Sequence, residues 1–310
     1  MAPTVQEPRL ARFLADLAVS GGVVRRDRAL VAVGRRGLDS LVRDGRLARV
    51  AAGLYLHHAL AADHEVRCRA VSVWGKGAVV IAGASALHLL DGRYPEPARI
   101  AAAAPSDRHR FAQAWAQVTL GGTPPLRRIV RGIPVMLPGD AVIDAWCRAS
   151  PHERKGVVYE ALWLGLCSAH ALEEGAARRH RVAQRQVLDR ILRDFRNGAT
   201  SPTEVMARRD VFRGPRFAEL EWQVPMQVRG RARHADALHR RARVVIELDG
   251  DRYHSTWKQR AADRERDADF AFAGWLAVRL GYADLRDRPG WCRATVAGII
   301  ASRLAVPHHR

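Results

Sequence analysis

The sequence predicts an α+β protein with more than one domain, and three observations indicate this. The chain has 310 residues, more than one ordinary small domain needs. Hydrophobic residues make up 48% of it, enough to bury real cores. Along the chain, apolar residues at helical spacing alternate with short β-branched runs that are typical of strands. We expect three segments: residues 1–64, 65–198 and 199–310.

The first segment is predicted to form three short helices followed by a hairpin. Gly34 and Gly45 end the second and third helices, and two short apolar runs flank Gly53. This order predicts a winged helix-turn-helix, which would hold DNA with one helix and its hairpin wing. A small helical cap with ordinary solvated arginines is the alternative. The candidate DNA-binding residues lie on or beside the third helix and the wing: Arg35, Arg36, Ser40, Arg43, Arg46 and Arg49.

The middle segment, residues 65–198, is predicted to be mixed α/β. Residues 78–82 are expected to form a buried strand or a helix start. Short strands are expected at residues 100–103, 128–130 and 133–137, and a helical region begins at Asp140. The stretch from residue 176 to 196 is predicted to be helical and is rich in arginine. Such a run is usually a solvated helix face, and a surface facing phosphate is the second interpretation.

The charge of the whole chain points to a polyanionic partner. Lys and Arg number 51 against 32 Asp and Glu, which gives a formal charge of +19. Nucleic acid is the commonest intracellular polyanion, although charge alone does not separate DNA from RNA. No apolar run is long enough for a membrane span, and the four cysteines form no C-x-x-C pair. We therefore expect a cytoplasmic protein that binds DNA and no membrane.

The last segment carries the residues that point to chemistry. Ser201 to Glu204 form a capping box, with proline at the first helical position. A strand carrying Asp236 is expected next, and then a β-branched strand that ends in Glu247-Leu248-Asp249-Gly250. A helix from about Lys258 to Phe272 and a final strand from Leu276 follow.

These acids have the composition of a divalent-cation site. Carboxylates at the ends of adjacent strands can converge on Mg²⁺ or Mn²⁺, which would polarise a phosphate and activate water. We expect Asp236 and Asp249 to bind the metal, with Glu247 on the same strand face and Glu204 on the preceding helix. His254 is the candidate general acid or base. A strand ending in two acids is also common in parallel sheets without any catalytic role.

The ordered set from Glu204 to the Gly274-Trp275 pair resembles the very-short-patch-repair-like endonucleases of the PD-(D/E)XK superfamily, in particular a group of undefined function. The resemblance covers about the last hundred residues and implies a restriction-endonuclease-like α/β domain. It implies that Asp236 is the first metal-binding acid, that the Leu248 carbonyl is a further ligand, and that His254 is catalytic. Asp263 matches an acid on the following helix.

Asp249 stands where the superfamily has its lysine, and Lys258 is a candidate for a migrated replacement. Separately, the run from Gly45 to Tyr55 resembles the N-terminal domain of AbiEi-family antitoxins. The sequence therefore predicts a metal-dependent DNA endonuclease with a winged-helix module. The alternative is a non-catalytic DNA-binding regulator or antitoxin-like protein with a degenerate nuclease fold, and a toxin or other protein partner is then possible.

Overall fold

The protein is an α+β protein, as the sequence predicts. The computed structural model describes residues 6–106, 111–121, 125–196, 201–249 and 257–305. For residues 6 and 257–263 only the backbone is described. The chain forms two compact units: residues 1–157 with 166–183, and residues 158–165 with 184–310. The three-segment division and its boundaries stay a prediction. None of the described helices has the length and apolar character that crossing a membrane requires.

The N-terminal part of the first unit contains the helical segments and the hairpin expected from the sequence. The elements are α1 (Gln6–Val19), β1 (Val23–Arg25), α2 (Arg26–Arg43), β2 (Leu47–Ala51) and β3 (Leu54–His57). Gly34 breaks α2 into two helical segments with φ 71° and ψ 174°, a conformation that glycine adopts easily. The three strands pair antiparallel in the order β1-β3-β2. Leu38 and Leu41 anchor α2 in a core shared with α1.

The rest of the first unit is built on a five-stranded mixed sheet in the order β6-β5-β4-β8-β7. Its elements are α3 (His64–Trp74), β4 (Val80–Ile81), α4 (Gly83–Leu90), β5 (Ile100–Ala104), β6 (Ala116–Leu120), β7 (Arg127–Val130), β8 (Ile133–Met136) and α5 (Pro138–Arg148). Four of these strands lie where the sequence predicts short strands. Strand β6 was not predicted, because most of its side chains are exposed and its apolar signal is weak.

The helices that follow differ from one sequence prediction. They are α6 (Arg154–Trp163), α7 (Ala169–Arg178) and α8 (Arg185–Arg196). The continuous basic helix predicted from residue 176 to 196 is wrong, because the backbone turns extended at Arg179, with ψ 122°. Within this break, the Trp146 indole donates a hydrogen bond to the Ala183 carbonyl at 2.6 Å. The arginines of the run therefore do not form one helix face.

The second unit carries a four-stranded sheet in the order β12-β11-β10-β9. Its elements are α9 (Pro202–Met206), a π-helical turn (Ala207–Val211), β9 (Leu220–Val228), β10 (Arg231–His239), β11 (Val244–Asp249), α10 (Trp257–Phe272), β12 (Leu276–Gly281), α11 (Tyr282–Asp287) and α12 (Pro289–Ala305). Helix α9, strands β10, β11 and β12, and helix α10 lie where the sequence predicts them. Helices α11 and α12 were not predicted from the sequence.

The crossover helix α10 explains the sheet's one parallel pair. Strands β9, β10 and β11 are antiparallel neighbours, whereas β11 and β12 are parallel. A parallel pair needs a long connection that returns to the same end of the sheet, and α10 supplies it. Phe270 of α10 is fully buried against the sheet, with Val245 and Leu238 in the same cluster. This packing fixes α10 beside the polar residues of β10 and β11.

Candidate functional site: an acidic cluster in the second unit

Asp236 and Glu247 occupy facing positions on two central strands. Ala237 of β10 pairs with Ile246 of β11, so the antiparallel register puts Asp236 opposite Glu247. Asp236 Oδ2 accepts a hydrogen bond from the Leu248 backbone N–H at 2.8 Å. The carboxylate of Asp236 is thereby fixed against the neighbouring strand.

Glu204 joins this cluster through a glutamine. The Gln223 side-chain amide donates to Glu204 Oε2 at 2.8 Å and to Asp236 Oδ1 at 3.5 Å. Gln223 lies within β9 with φ 53°, a left-handed conformation that costs a non-glycine residue about 1–3 kcal/mol. Ser201 caps α9 by accepting from the Glu204 N–H, which sets the helix start and brings Glu204 to the sheet. The strained backbone thus holds two acids together.

Glu247 is the most buried acid of the cluster, with only 2% of the residue exposed. One carboxylate oxygen, Oε2, accepts from the Arg266 guanidinium at 2.9 Å. The other, Oε1, is buried and has no hydrogen-bond partner among the described residues. A buried carboxylate oxygen without a partner costs free energy, so this atom marks a place for a cation or a donor.

The electrostatics of the cluster follow from burial and like charge. Burial raises the pKa of Asp236, and the neighbouring Glu204 carboxylate raises it further. Burial also raises the pKa of Glu247, with Asp236 adding to the effect and Arg266 opposing it. Because both pKa values are raised, ionising these two carboxylates in the folded protein costs free energy. A bound cation would lower that cost.

We expect Glu247→Gln to stabilise the metal-free protein at neutral pH. Because the pKa of Glu247 is raised by folding, its contribution to stability is complete below the ordinary value of 4.5 and is lost as the pH rises through the raised pKa. The glutamine cannot lose a proton, so the gain should be present at pH 7 and absent below pH 4.5. Urea unfolding in EDTA at the two pH values measures it. A gain over the unaltered protein that is no larger at pH 7 than below pH 4.5 would contradict this account.

Asp249 lies on the same strand face as Glu247 and is engaged by a different cation. Arg279 of β12 donates to Asp249 Oδ1 at 2.8 Å, and its guanidinium also reaches Asp267 of α10 at 2.9 Å. The parallel register pairs Arg279 with Glu247, two residues before Asp249. An arginine therefore stands beside Asp249 and level with Glu247.

The remaining predicted catalytic residues fall outside what the structure describes. His254 lies outside the described residues, and so do the side chains of Lys258 and Asp263. Of the predicted acids, the structure brings Glu204, Asp236 and Glu247 together through the contacts above. Leu248 contributes its N–H to Asp236. The proposed roles of His254, Lys258, Asp263 and the Leu248 carbonyl stay predictions.

The fit of a metal ion depends on the two facing carboxylates. Across the part of the chain that the structure describes, no group of three or more His, Cys, Asp or Glu side chains is arranged to hold a metal ion. Mg²⁺ does not need one, because it commonly takes one or two protein carboxylates and completes its shell with water and phosphate oxygens. Asp236 and Glu247, with its buried oxygen that lacks a partner, fit that requirement.

A depression of about 640 Å³ lies beside the acidic cluster. Asp236 brings a carboxylate and Gln223 an amide to its lining, and Arg266, Arg233 and His234 bring basic groups. Basic side chains beside carboxylates suit a phosphodiester, since the guanidinium groups bind phosphate oxygens.

The predicted DNA-binding residues of the first unit differ in their surroundings. Arg35, Arg36, Arg43 and Arg49 are exposed. Arg46 pairs with Glu7 at 2.6 Å, and the Ser40 hydroxyl donates to Asp44 at 2.9 Å. The exposed arginines are the ones accessible to a phosphate backbone.

Three residues that contact the acids of this site were missed by sequence reasoning: Gln223, Arg266 and Arg279. The alternation along β9 gives no sign that Gln223 adopts a left-handed backbone and bridges two acids. Arg279 gives no sign in the sequence either, because its place level with Glu247 depends on the parallel pairing of β11 and β12. Arg266 stands on α10 within an ordinary-looking run of charges.

Comparisons with known proteins give little further information. No protein-family model matches the sequence, and no curated protein matches it. Among solved structures, the crystal structure of the RV2827C protein from Mycobacterium tuberculosis is similar over 71% of this chain and 88% of that chain. The TM-score is 0.43 and the sequence identity is 17%. At that level of similarity, no conclusion about fold or function follows.

Proposed function

We propose that the protein is a metal-dependent DNA endonuclease whose catalytic centre is the acidic cluster of the second unit. The observation that carries this proposal is the buried Oε1 of Glu247, which has no hydrogen-bond partner among the described residues. It lies on a residue that faces Asp236 across two strands. Two facing buried carboxylates cost stability even with Arg266 paired to one of them, and this supports a role for a neutralising ligand.

The residues that would hold Mg²⁺ or Mn²⁺ are Asp236 and Glu247, with Asp249 as the third acid on the same strand face. When bound, the ion supplies Lewis-acid polarisation of the scissile phosphate and lowers the pKa of water. The chain's own groups do the positioning. The Leu248 N–H and Gln223 fix the orientation of Asp236.

The basic residues of the depression would hold the substrate. Arg233 and Arg266 line it together with Asp236, so they are placed to contact phosphates next to the one that is cleaved. His254 remains a candidate general acid or base. A cytoplasmic setting, predicted from the cysteine usage, is part of the proposal.

The test is cleavage of supercoiled plasmid by the purified full chain. We expect nicking with Mg²⁺ or Mn²⁺ and none with EDTA. An RNA of similar length, tested in parallel, decides between DNA and RNA as the substrate. Plasmid that remains intact with every metal, in a protein that binds it, would overturn the nuclease and support the second candidate.

Asp249→Ala should greatly reduce cleavage and leave the fold intact. Its side chain is 38% exposed and pairs with Arg279, and a pair of that exposure contributes at most about 1 kcal/mol to stability. Circular dichroism and plasmid cleavage, measured on the same preparation, separate the two effects. Loss of the folded spectrum would make Asp249 a structural residue instead of a catalytic one.

The second candidate function is a non-catalytic DNA-binding regulator or antitoxin-like protein. The internal ion pairs favour it, because Arg266 and Arg279 already neutralise part of the charge on Glu247 and Asp249. A guanidinium that replaces a metal would leave a surface that binds DNA without cutting it. A toxin or other protein partner belongs to this candidate only.

Both candidates include DNA binding by the N-terminal helices and hairpin as a winged helix. The strand order β1-β3-β2 and the paired helical segments of α2 support this assignment. Arg36→Ala together with Arg43→Ala should weaken duplex binding and lower the slope of log affinity against log salt by about 2, since each arginine neutralises about one phosphate. Titrations at several salt concentrations measure it. An unchanged slope would remove this surface from the interface.

A further inference from the structure

The turn between β9 and β10 is short and held in one conformation. Val228 pairs with Arg231, so only Arg229 and Gly230 connect the strands. Both have positive φ, 53° and 73°, which is the pattern of a type I′ turn. Such a turn is matched to the twist of the strands, so Arg229 is held at a defined place at the tip of the hairpin.

A buried carboxylate of α10 gathers the arginines of this hairpin. The side chain of Asp269 is only 3% exposed, and it lies 2.5 Å from Arg233 and 3.5 Å from Arg229. Arg231 is 3.9 Å from the same carboxylate and also pairs with Glu265. The side chains of Arg229 and Arg231 are 51% and 56% exposed. Asp269 therefore orders the guanidinium groups, and their outer edges remain accessible.

An exposed aromatic ring stands against the tip of the hairpin. The Arg229 guanidinium lies over the ring of Phe272 at 4.6 Å from its centre. Phe272 nevertheless remains 75% exposed at the end of α10, two residues after the buried Phe270. An exposed ring beside ordered arginines combines the two groups that bind single strands, an aromatic face for a base and cations for its phosphates.

We infer that Phe272 and the arginines Arg229 and Arg231 bind an unpaired stretch of a DNA strand next to the acidic cluster. We call these three residues the hairpin platform. An unpaired base offers its face to Phe272 or to the Arg229 guanidinium, whereas the bases of a duplex are already stacked on each other. The arginines supply phosphate contacts for the same strand.

The platform is continuous with the candidate catalytic site. Arg233 binds Asp269 beneath the platform and also lines the depression that contains Asp236. A strand whose bases stack at the hairpin tip would run along β10 toward the acids. The substrate class is then DNA with a single-stranded segment, and this rests on the proposed DNA-directed function.

The chain offers a matched control for the aromatic residue. Trp291 of α12 is 48% exposed, and Arg288 lies over its ring at 4.6 Å, the same distance as in the platform. It is not among the residues that line the depression. Trp291→Ala removes an equivalent stacked ring from the same unit.

The experiment measures fluorescence anisotropy of a short labelled single strand and of the matching duplex, both in EDTA so that nothing is cleaved. We expect Phe272→Ala to weaken single-strand binding by about 5- to 150-fold, the range for one lost stacking contact, and duplex binding by less than about 2-fold. Phe272→Trp should bind the single strand as tightly as the unaltered protein. Trp291→Ala should leave the single-strand and duplex affinities unchanged.

Three results would overturn the platform: no measurable single-strand binding by the unaltered protein, an unchanged affinity in Phe272→Ala, or equal losses on both probes. Because these titrations need no catalysis, they test the platform independently of the nuclease proposal. If plasmid stays intact while Phe272→Ala selectively weakens single-strand binding, only the nuclease proposal is contradicted. If the protein nicks plasmid with metal but Phe272→Ala leaves single-strand affinity unchanged, only the platform proposal is contradicted.

Discussion

Asp236→Asn should reduce metal-dependent cleavage by more than the roughly 10–100-fold that follows loss of a group one shell away from a metal. Asparagine keeps an oxygen that can accept from the Leu248 N–H, so the strand contact survives while the negative charge is removed. The variant should be at least as stable as the unaltered protein, because burial and Glu204 raise the pKa of Asp236 and its charge is held at a cost. Initial rates of plasmid nicking measure the loss.

Glu221→Gln is the matched control for that substitution. Glu221 lies on β9 of the same sheet, but it is partly exposed and pairs with Arg240 at 2.6 Å. Removing its charge should leave cleavage within about 2-fold of the starting value, because surface charges away from a site have small effects. If Asp236→Asn cleaved as fast as Glu221→Gln, the acidic cluster would not be the catalytic centre.

Phe270→Ala should destabilise the second unit by about 3–5 kcal/mol, the range for removing a fully buried phenylalanine. Phe270 is 0% exposed and packs with Val245 and Leu238 on the face of the sheet that α10 covers. Its loss should also loosen Arg266, which the same helix holds against Glu247. Urea unfolding followed by circular dichroism measures the stability.

Phe272→Ala is the comparison for Phe270→Ala, because both rings belong to α10 but only Phe270 is buried. With 75% of Phe272 exposed, its removal should change stability by less than about 0.5 kcal/mol. A loss below about 1 kcal/mol in Phe270→Ala would mean that α10 is not held by this core. A large loss in Phe272→Ala would mean that its ring is structural.

The strands and helices of the second unit could be predicted because local rules decide them. The β-branched run from Val244 is buried on β11, and the Ser201 cap starts α9 as its spacing predicts. The sequence predicted Asp236 and Asp249 on adjacent strands and Glu247 on the strand face of Asp249, but not the register that puts Asp236 opposite Glu247. The apolar helix α12 was missed because its apolar side chains lack a clear helical period in sequence.

The partners of the acids could not be predicted, because they depend on register and tertiary packing. Whether Arg279 reaches Asp249 depends on a parallel pairing that α10 creates between strands far apart in sequence. The role of Gln223 depends on a backbone conformation that its residue type disfavours. The break between α7 and α8 contains a carbonyl that accepts a hydrogen bond from an indole of another helix. Composition and periodicity contain none of these facts.

The left-handed backbone at Gln223 implies a conflict between two kinds of selection. Glycine would adopt a φ of 53° without strain, but it has no amide to join Glu204 to Asp236. In a library of variants at this position, selection for heat resistance alone should enrich glycine. Selection for cleavage should retain glutamine. The position would then record which of the two pressures has acted on a given descendant of this sequence.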